Sequence, residues 1–212
     1  MRPDFNKYKI YLHDKNFLIS FFSSLLFLII ALIINFIAGT YAQESVSNPV
    51  TDIILSNTRV YDLDFIFIYG TYVFWIFFIY ISIAKPQRLP FTLKSIALFT
   101  IIRALFISMT HINQFPNHLL LDPNSFINYF TFGGDLFFSG HTGIPFLLAL
   151  IYWESKHMRY MFITISIIFA ITVLLSHLHY TIDVFSAFFI TYTIYHIAIY
   201  FFKKDLNLFN ES

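Results

Sequence analysis

In Ser176-His177-Leu178-His179-Tyr180-Thr181-Ile182-Asp183, His179 and Asp183 stand four residues apart, a spacing that puts both on one face of a helix. A carboxylate so placed can accept the Nδ1 hydrogen of His179, which fixes the tautomer that leaves Nε2 a free lone pair for attack or proton transfer. A polar pair satisfying itself at a helix end has the same spacing. A second stretch, Gly133-Gly134-Asp135-Leu136-Phe137-Phe138-Ser139-Gly140-His141-Thr142-Gly143, is rich in glycine and leads into an apolar run. Glycine frees backbone amides, and amides at a helix N-terminus suit a phosphate or another anion. Asp135, Ser139, Gly140 and Thr142 would line that place, and His141 would stand beside it as a proton donor. Read blandly, the stretch is a capped helix start with an interfacial histidine.

Arg103 lies inside an apolar run, Leu98 to Leu105, with no acidic residue near it in sequence. An intramembrane arginine is costly and is a functional-site hypothesis by default, although snorkelling toward the interface is open to it. Ile107 and His111 follow at intervals of four, a stripe that could carry Arg103 toward an outer pocket. Arg103 for anionic oxygens, His179 with Asp183 behind it, and His141 as acid and base together make what phosphoryl transfer through a phosphohistidine requires. His177, His179, Asp183 and His141 could instead serve a metal, but an arginine aimed at the same place would repel a divalent cation. The absence of Cys removes disulfides, thiolate metal sites and cysteine nucleophiles.

The elements that must position these residues are membrane helices. Of the 212 residues 58% are hydrophobic and only 12% charged, and Phe occurs 29 times, a composition a water-soluble fold could not bury. Apolar runs predict six spans at residues 17–38, 65–84, 91–110, 136–153, 160–176 and 182–202, within one polytopic domain over residues 1–212 that shows no internal repeat or linker. The first exceeds a signal-peptide core of about 7–15 residues and reads as a retained helix. Net charge is +1, which gives no field to steer the chain to nucleic acid. Arg2, Lys7, Lys9, Lys15, Lys85, Arg88, Lys94, Lys156, Arg159, Lys203 and Lys204 fall on one side of these spans, and Arg59 alone in the loops of the other. The positive-inside rule then predicts cytoplasmic N and C termini. His111, His118, His141, His177 and His179 come to the outer, periplasmic or lumenal, face.

The segments Gly134 to Thr142 and His179 to Val184 resemble, nearly residue for residue, the two catalytic motifs of the sphingomyelin synthases, a lipid-transferase branch related to the type 2 phosphatidic acid phosphatases. The resemblance covers the third to sixth spans, and the first two by topology only. It implies a six-helix membrane fold with an outward-facing site and no metal or organic cofactor. It further implies that His179 attacks the lipid phosphorus, that Asp183 orients it, that His141 protonates the departing oxygen and deprotonates the acceptor, and that Arg103 binds phosphate. The phosphatase branch carries an arginine six residues before the nucleophilic histidine. Val173 stands there in this chain, which favours the synthase-like branch.

The leading expectation is therefore an all-α integral membrane phosphotransferase. It would move a phosphocholine- or phosphoethanolamine-type head group from a phospholipid to a lipid alcohol such as ceramide or diacylglycerol. A lipid phosphate phosphatase would use the same residues with water as acceptor. A non-enzymatic transporter or metal-binding protein would use the histidine cluster without turnover.

Overall fold

The computed structural model describes residues 11, 13–120 and 136–210, and among them it is helical with no strand. The helices are α1 (Lys15–Glu44), α2 (Asp64–Ala84), α3 (Leu89–Met109), α4 (Gly140–Ile151), α5 (Lys156–Leu175), α6 (Thr181–Phe201) and the short α7 (Lys203–Asn210). Five helical stretches, α1, α2, Pro86–Met109 that includes α3, α5 and α6, are long and apolar enough to cross a membrane. The protein is an all-α membrane protein.

Local chemistry sets the ends of these helices. Asp14 opens α1, its side chain accepting from Asn16 N at 2.9 Å, and Pro90 in the first turn of α3 occupies a place where no backbone donor is needed. Along α1, Phe17, Ser24, Ala31 and Ala38 are buried at a seven-residue spacing that keeps one stripe toward a neighbour. Small residues on that stripe allow close approach of backbones, and α1 packs chiefly against α3. The rest of α1 is exposed Ile, Leu and Phe, as a lipid-facing surface requires.

The fourth expected span, residues 136–153, is corrected. Its helix covers only twelve residues, Gly140–Ile151, about 18 Å at 1.5 Å per residue and short of the roughly 30 Å hydrocarbon core. The missing turn is Leu136 to Ser139, which is not helical because tertiary bonds hold it otherwise. Phe99, Arg103 and Phe106 share a face of α3 and grip Phe138. Its ring meets those of Phe99 and Phe106 edge-on at 5.3 and 6.0 Å, and its carbonyl accepts from Arg103 Nε at 3.0 Å. Ser139 N then donates to the carbonyl of Asp183 at 3.1 Å. α4 itself packs against α3, α5 and α6, with Leu147, Leu148 and Ala149 fully buried. Gly143 permits that packing: a Cβ there would come within 2.6 Å of the Phe99 ring and 2.9 Å of Thr191 Oγ1.

The remaining helices match their expected spans within a few residues, except that α1 runs on to Glu44. The connections 45–63, 110–120 and 176–180 gather at one end of the bundle, joined by Ser47 N to His111 O (2.7 Å), Tyr61 N to Leu175 O (2.9 Å) and Leu119 N to Ser176 O (3.0 Å). At the other end Lys94 of α3 pairs with Asp205 of α7, and Ser20 of α1 donates to the same carboxylate.

Candidate active site

The turn between α5 and α6 carries the first pair. α5 closes in a Schellman arrangement, with His177 N donating to Leu174 O at 3.0 Å and Leu178 N to Val173 O at 2.9 Å. His177 occupies the left-handed position, φ 54°, where glycine is usual. Its side chain holds it there: Nδ1 lies 2.7 Å from Asn117 O, Nε2 lies 3.1 Å from Thr58 Oγ1, and the ring meets Phe115 edge-on. Both ring nitrogens of His177 are thus engaged in fastening loops 45–63 and 110–120 to the turn, which is a structural role. Among the described residues no group of three His, Cys, Asp or Glu is arranged to hold a metal.

Two residues on, His179 Nδ1 lies 3.2 Å from Asp183 Oδ2, the pairing expected from their spacing. Tyr180 N donates to the same Oδ2 at 3.0 Å, so Asp183, the third residue of α6, also closes half of a capping box. Asp183 is fully buried, and its Oδ1 has no hydrogen-bond partner among the described residues. A buried carboxylate satisfied on one oxygen is costly, and positive charge developing on His179 would offset that cost. His179 Nε2 makes no hydrogen bond among the described residues, the state a nucleophile needs.

The elbow from Leu136 to Thr142 supplies the second group. Ser139 is the N-cap of α4, its Oγ accepting from Thr142 N at 3.4 Å, and Thr142 Oγ1 donates to Ser139 Oγ at 3.3 Å. Both side chains are fully buried, so their hydroxyls hold the elbow's shape. Ser166 Oγ of α5 adds a bond to Thr142 O at 2.7 Å. Gly140 and His141 are half-buried. A Cβ on Gly140 would meet Arg103 Nε at an ordinary 3.5 Å, so the guanidinium runs alongside the first turn of α4. The His141 ring lies 4.4 Å from the Phe67 ring and 5.8 Å from that of Phe169, centroid to centroid. These aromatic walls favour a neutral imidazole until an anion arrives to balance a proton.

The elbow and the turn are one unit. Ser139 N bonds Asp183 O directly, and His141 stands within electrostatic reach of both His179 and Arg103. Arg103, 9% exposed, bonds the Phe138 carbonyl and lies beside Gly140, while the ring of His111 packs edge-on against Tyr41 of α1. Asp135 lies outside the described residues.

Two contributions have no sequence signal. One is the carbonyl of Phe138, a backbone atom. The other is Asp52 of loop 45–63, whose carboxylate reaches Thr181 at the start of α6. Only the order Asp52-Ile53-Ile54-Leu55, compatible with an aspartate turn, hints at part of its bonding.

Residues 133–200 match the family described as PAP2 superfamily C-terminal, a stretch that contains both the elbow and the His179–Asp183 turn. Over these residues the chain is similar to that family. No curated protein matches the chain, and no solved structure does.

Proposed function

We propose that this protein is a membrane lipid phosphotransferase of the sphingomyelin synthase-like kind, moving a phospholipid head group to a lipid alcohol through a phosphohistidine. The observation that carries the reading is the buried His179–Asp183 pair, bonded through the Asp183 carbonyl to the elbow that carries His141 and whose Phe138 carbonyl accepts from Arg103. The family match adds phosphatase or phosphotransferase chemistry as the superfamily's type.

In the first half-reaction His179 Nε2 attacks the phosphorus and the bond to the diacylglycerol oxygen breaks. The oxygen leaves with the proton of His141, and the phosphorylated head group stays on Nε2. Asp183 balances the charge on the ring. In the second half-reaction His141 takes the proton of the acceptor hydroxyl, whose oxygen attacks phosphorus, and the bond to Nε2 breaks. Arg103 offers its guanidinium to the non-bridging oxygens throughout. The amides around Gly140, positioned by Ser139 and Thr142, complete the substrate's described surroundings, and the resemblance adds Asp135 to the substrate-binding residues. The lysine-bearing end of the bundle faces the cytoplasm with both termini, by the positive-inside rule, and the site faces the periplasm or lumen. The substrates are a phospholipid and a lipid alcohol, with no nucleic acid involved.

A lipid phosphate phosphatase is the second reading, favoured by the superfamily match. Water would then resolve the phosphohistidine. Purified protein incubated with head-group-labelled phospholipids, with and without ceramide or diacylglycerol and beside a His179→Ala control, separates the two. New labelled lipid that requires the acceptor is expected. Label released to water without acceptor, or inorganic phosphate from phosphatidate, would replace the transferase by the phosphatase.

A further inference from the structure

The start of α6 sets where His179 and Asp183 stand, and a residue far away in sequence holds that start. Asp52 lies in the loop between α1 and α2, 9% exposed. One oxygen, Oδ2, accepts from Thr181 N at 2.7 Å, and the other, Oδ1, from Thr181 Oγ1 at 2.8 Å. Oδ1 also accepts from Ile54 N at 2.9 Å and Leu55 N at 3.0 Å. One carboxylate therefore closes its own loop turn and the first turn of α6 together. Thr181 is two residues past His179 and two before Asp183, so any shift of its amide moves both ends of the pair.

We infer that Asp52 is a positioning residue for the reaction at His179: by holding the Thr181 amide and hydroxyl it fixes the attack geometry of the His179–Asp183 pair. This rests on the phosphohistidine reading above. Tyr180 supports the same loop, donating its hydroxyl to Asn113 O at 2.8 Å and accepting from Val50 N at 3.2 Å. The negative charge at the α6 N-terminus is favourable to the helix dipole. Burial works to raise the carboxyl of Asp52, but the amides of Leu55 and Thr181, the Thr181 hydroxyl and the Ile54 amide hold it below its ordinary value near 3.8, so it stays an all-acceptor group at neutral pH. An asparagine in its place keeps the shape but must point an N–H₂ group at one of these N–H donors.

The test measures formation of the labelled protein by rapid quench with phosphatidylcholine, phosphatidylethanolamine and phosphatidate carrying ³²P, in wild type, Asp52→Asn and Thr181→Val. The rate constant reports geometry, and the final stoichiometry reports the folded, competent fraction. Because small misplacements of reacting groups cost up to about 100-fold in rate, Asp52→Asn is expected to lower the rate constant about 10-fold or more. Its stoichiometry and half-saturating lipid concentration should stay near wild type, and Thr181→Val should show a smaller loss in the same parameter. A wild-type rate constant with reduced stoichiometry would make Asp52 a folding residue only and overturn the inference. Absence of label in the wild type itself would overturn the phosphohistidine reading, and this role with it.

Discussion

At the end of the bundle that carries Lys94, the carboxylate of Asp205 receives Lys94 Nζ on both oxygens at 2.9 Å and Ser20 besides. At the opposite end Asp183, more deeply buried, gives one oxygen to His179 and the Tyr180 amide while Oδ1 stays unpaired among the described residues. Both are buried acids in an apolar protein. Asp205 is answered by a full positive charge already present, so it fastens α1, α3 and α7. On the proposed reading, Asp183 faces the imidazole that gains positive charge as it attacks phosphorus, and it stabilises that charge. A carboxylate completed by its own fold is a fastening, and one left partly uncompleted beside His179 is what the proposed phosphohistidine chemistry calls for.

The sharpest way to break this contrast is to remove each acid's partner function and ask what fails. Asp183→Asn should lower turnover by about 10³- to 10⁴-fold, the scale seen when a histidine loses its orienting carboxylate, with membrane abundance and melting temperature close to wild type. Lys94→Ala should do the opposite, costing on the order of 3 kcal/mol by leaving Asp205 uncompensated, at the low side because Lys94 is partly exposed. Activity per folded molecule should stay unchanged. Thermal unfolding read beside specific activity checks both, and a Lys94→Ala protein that is stable but inactive would dissolve the distinction between the ends.

Two glycines of α4 sharpen it further. Gly143→Ala forces a methyl to 2.6 Å from Phe99, and such overpacking costs about 1–3 kcal/mol. Gly140→Ala meets Arg103 at an ordinary 3.5 Å, so it should fold normally and raise the half-saturating lipid concentration a few-fold by crowding the guanidinium. Equal stability losses in the two would mean that Gly140 matters for packing alone.

The smallest effect concerns pH. Asp52 has a folded pKa below its ordinary value, so its stabilisation is complete above the unfolded value of about 3.9 and is lost as pH falls through the folded one. The melting-temperature gap between wild type and Asp52→Asn should therefore be full at pH 7 and narrow only below about pH 4. A gap already closing between pH 7 and 5 would place the responsible titration elsewhere.

The sequence made the helices legible because twenty apolar residues in a row leave little else to do in lipid. The His179–Asp183 pair was legible because a four-residue spacing is itself a geometry. The shortness of α4 was not. Leu136, Phe137 and Phe138 are as apolar as any helix, and only the bonds of Phe138 O to Arg103 and of Ser139 N to Asp183 O, both distant in the chain, keep them out of the helix. By residue type and position His177 is a possible metal ligand beside His179. The left-handed C-terminal position that turns it away depends on how α5 ends, which hydropathy does not encode. Asp52 was silent for the same reason, since its meaning lies in Thr181, four helices further along the chain.

The central claim is that His179 becomes covalently phosphorylated. The most direct measurement is to quench the protein during turnover with ³²P-labelled phospholipid and map the modified residue by mass spectrometry. The account predicts an acid-labile, alkali-stable phosphoramidate on His179, absent in His179→Ala. Turnover with no such adduct, or with label on any other side chain, would contradict it.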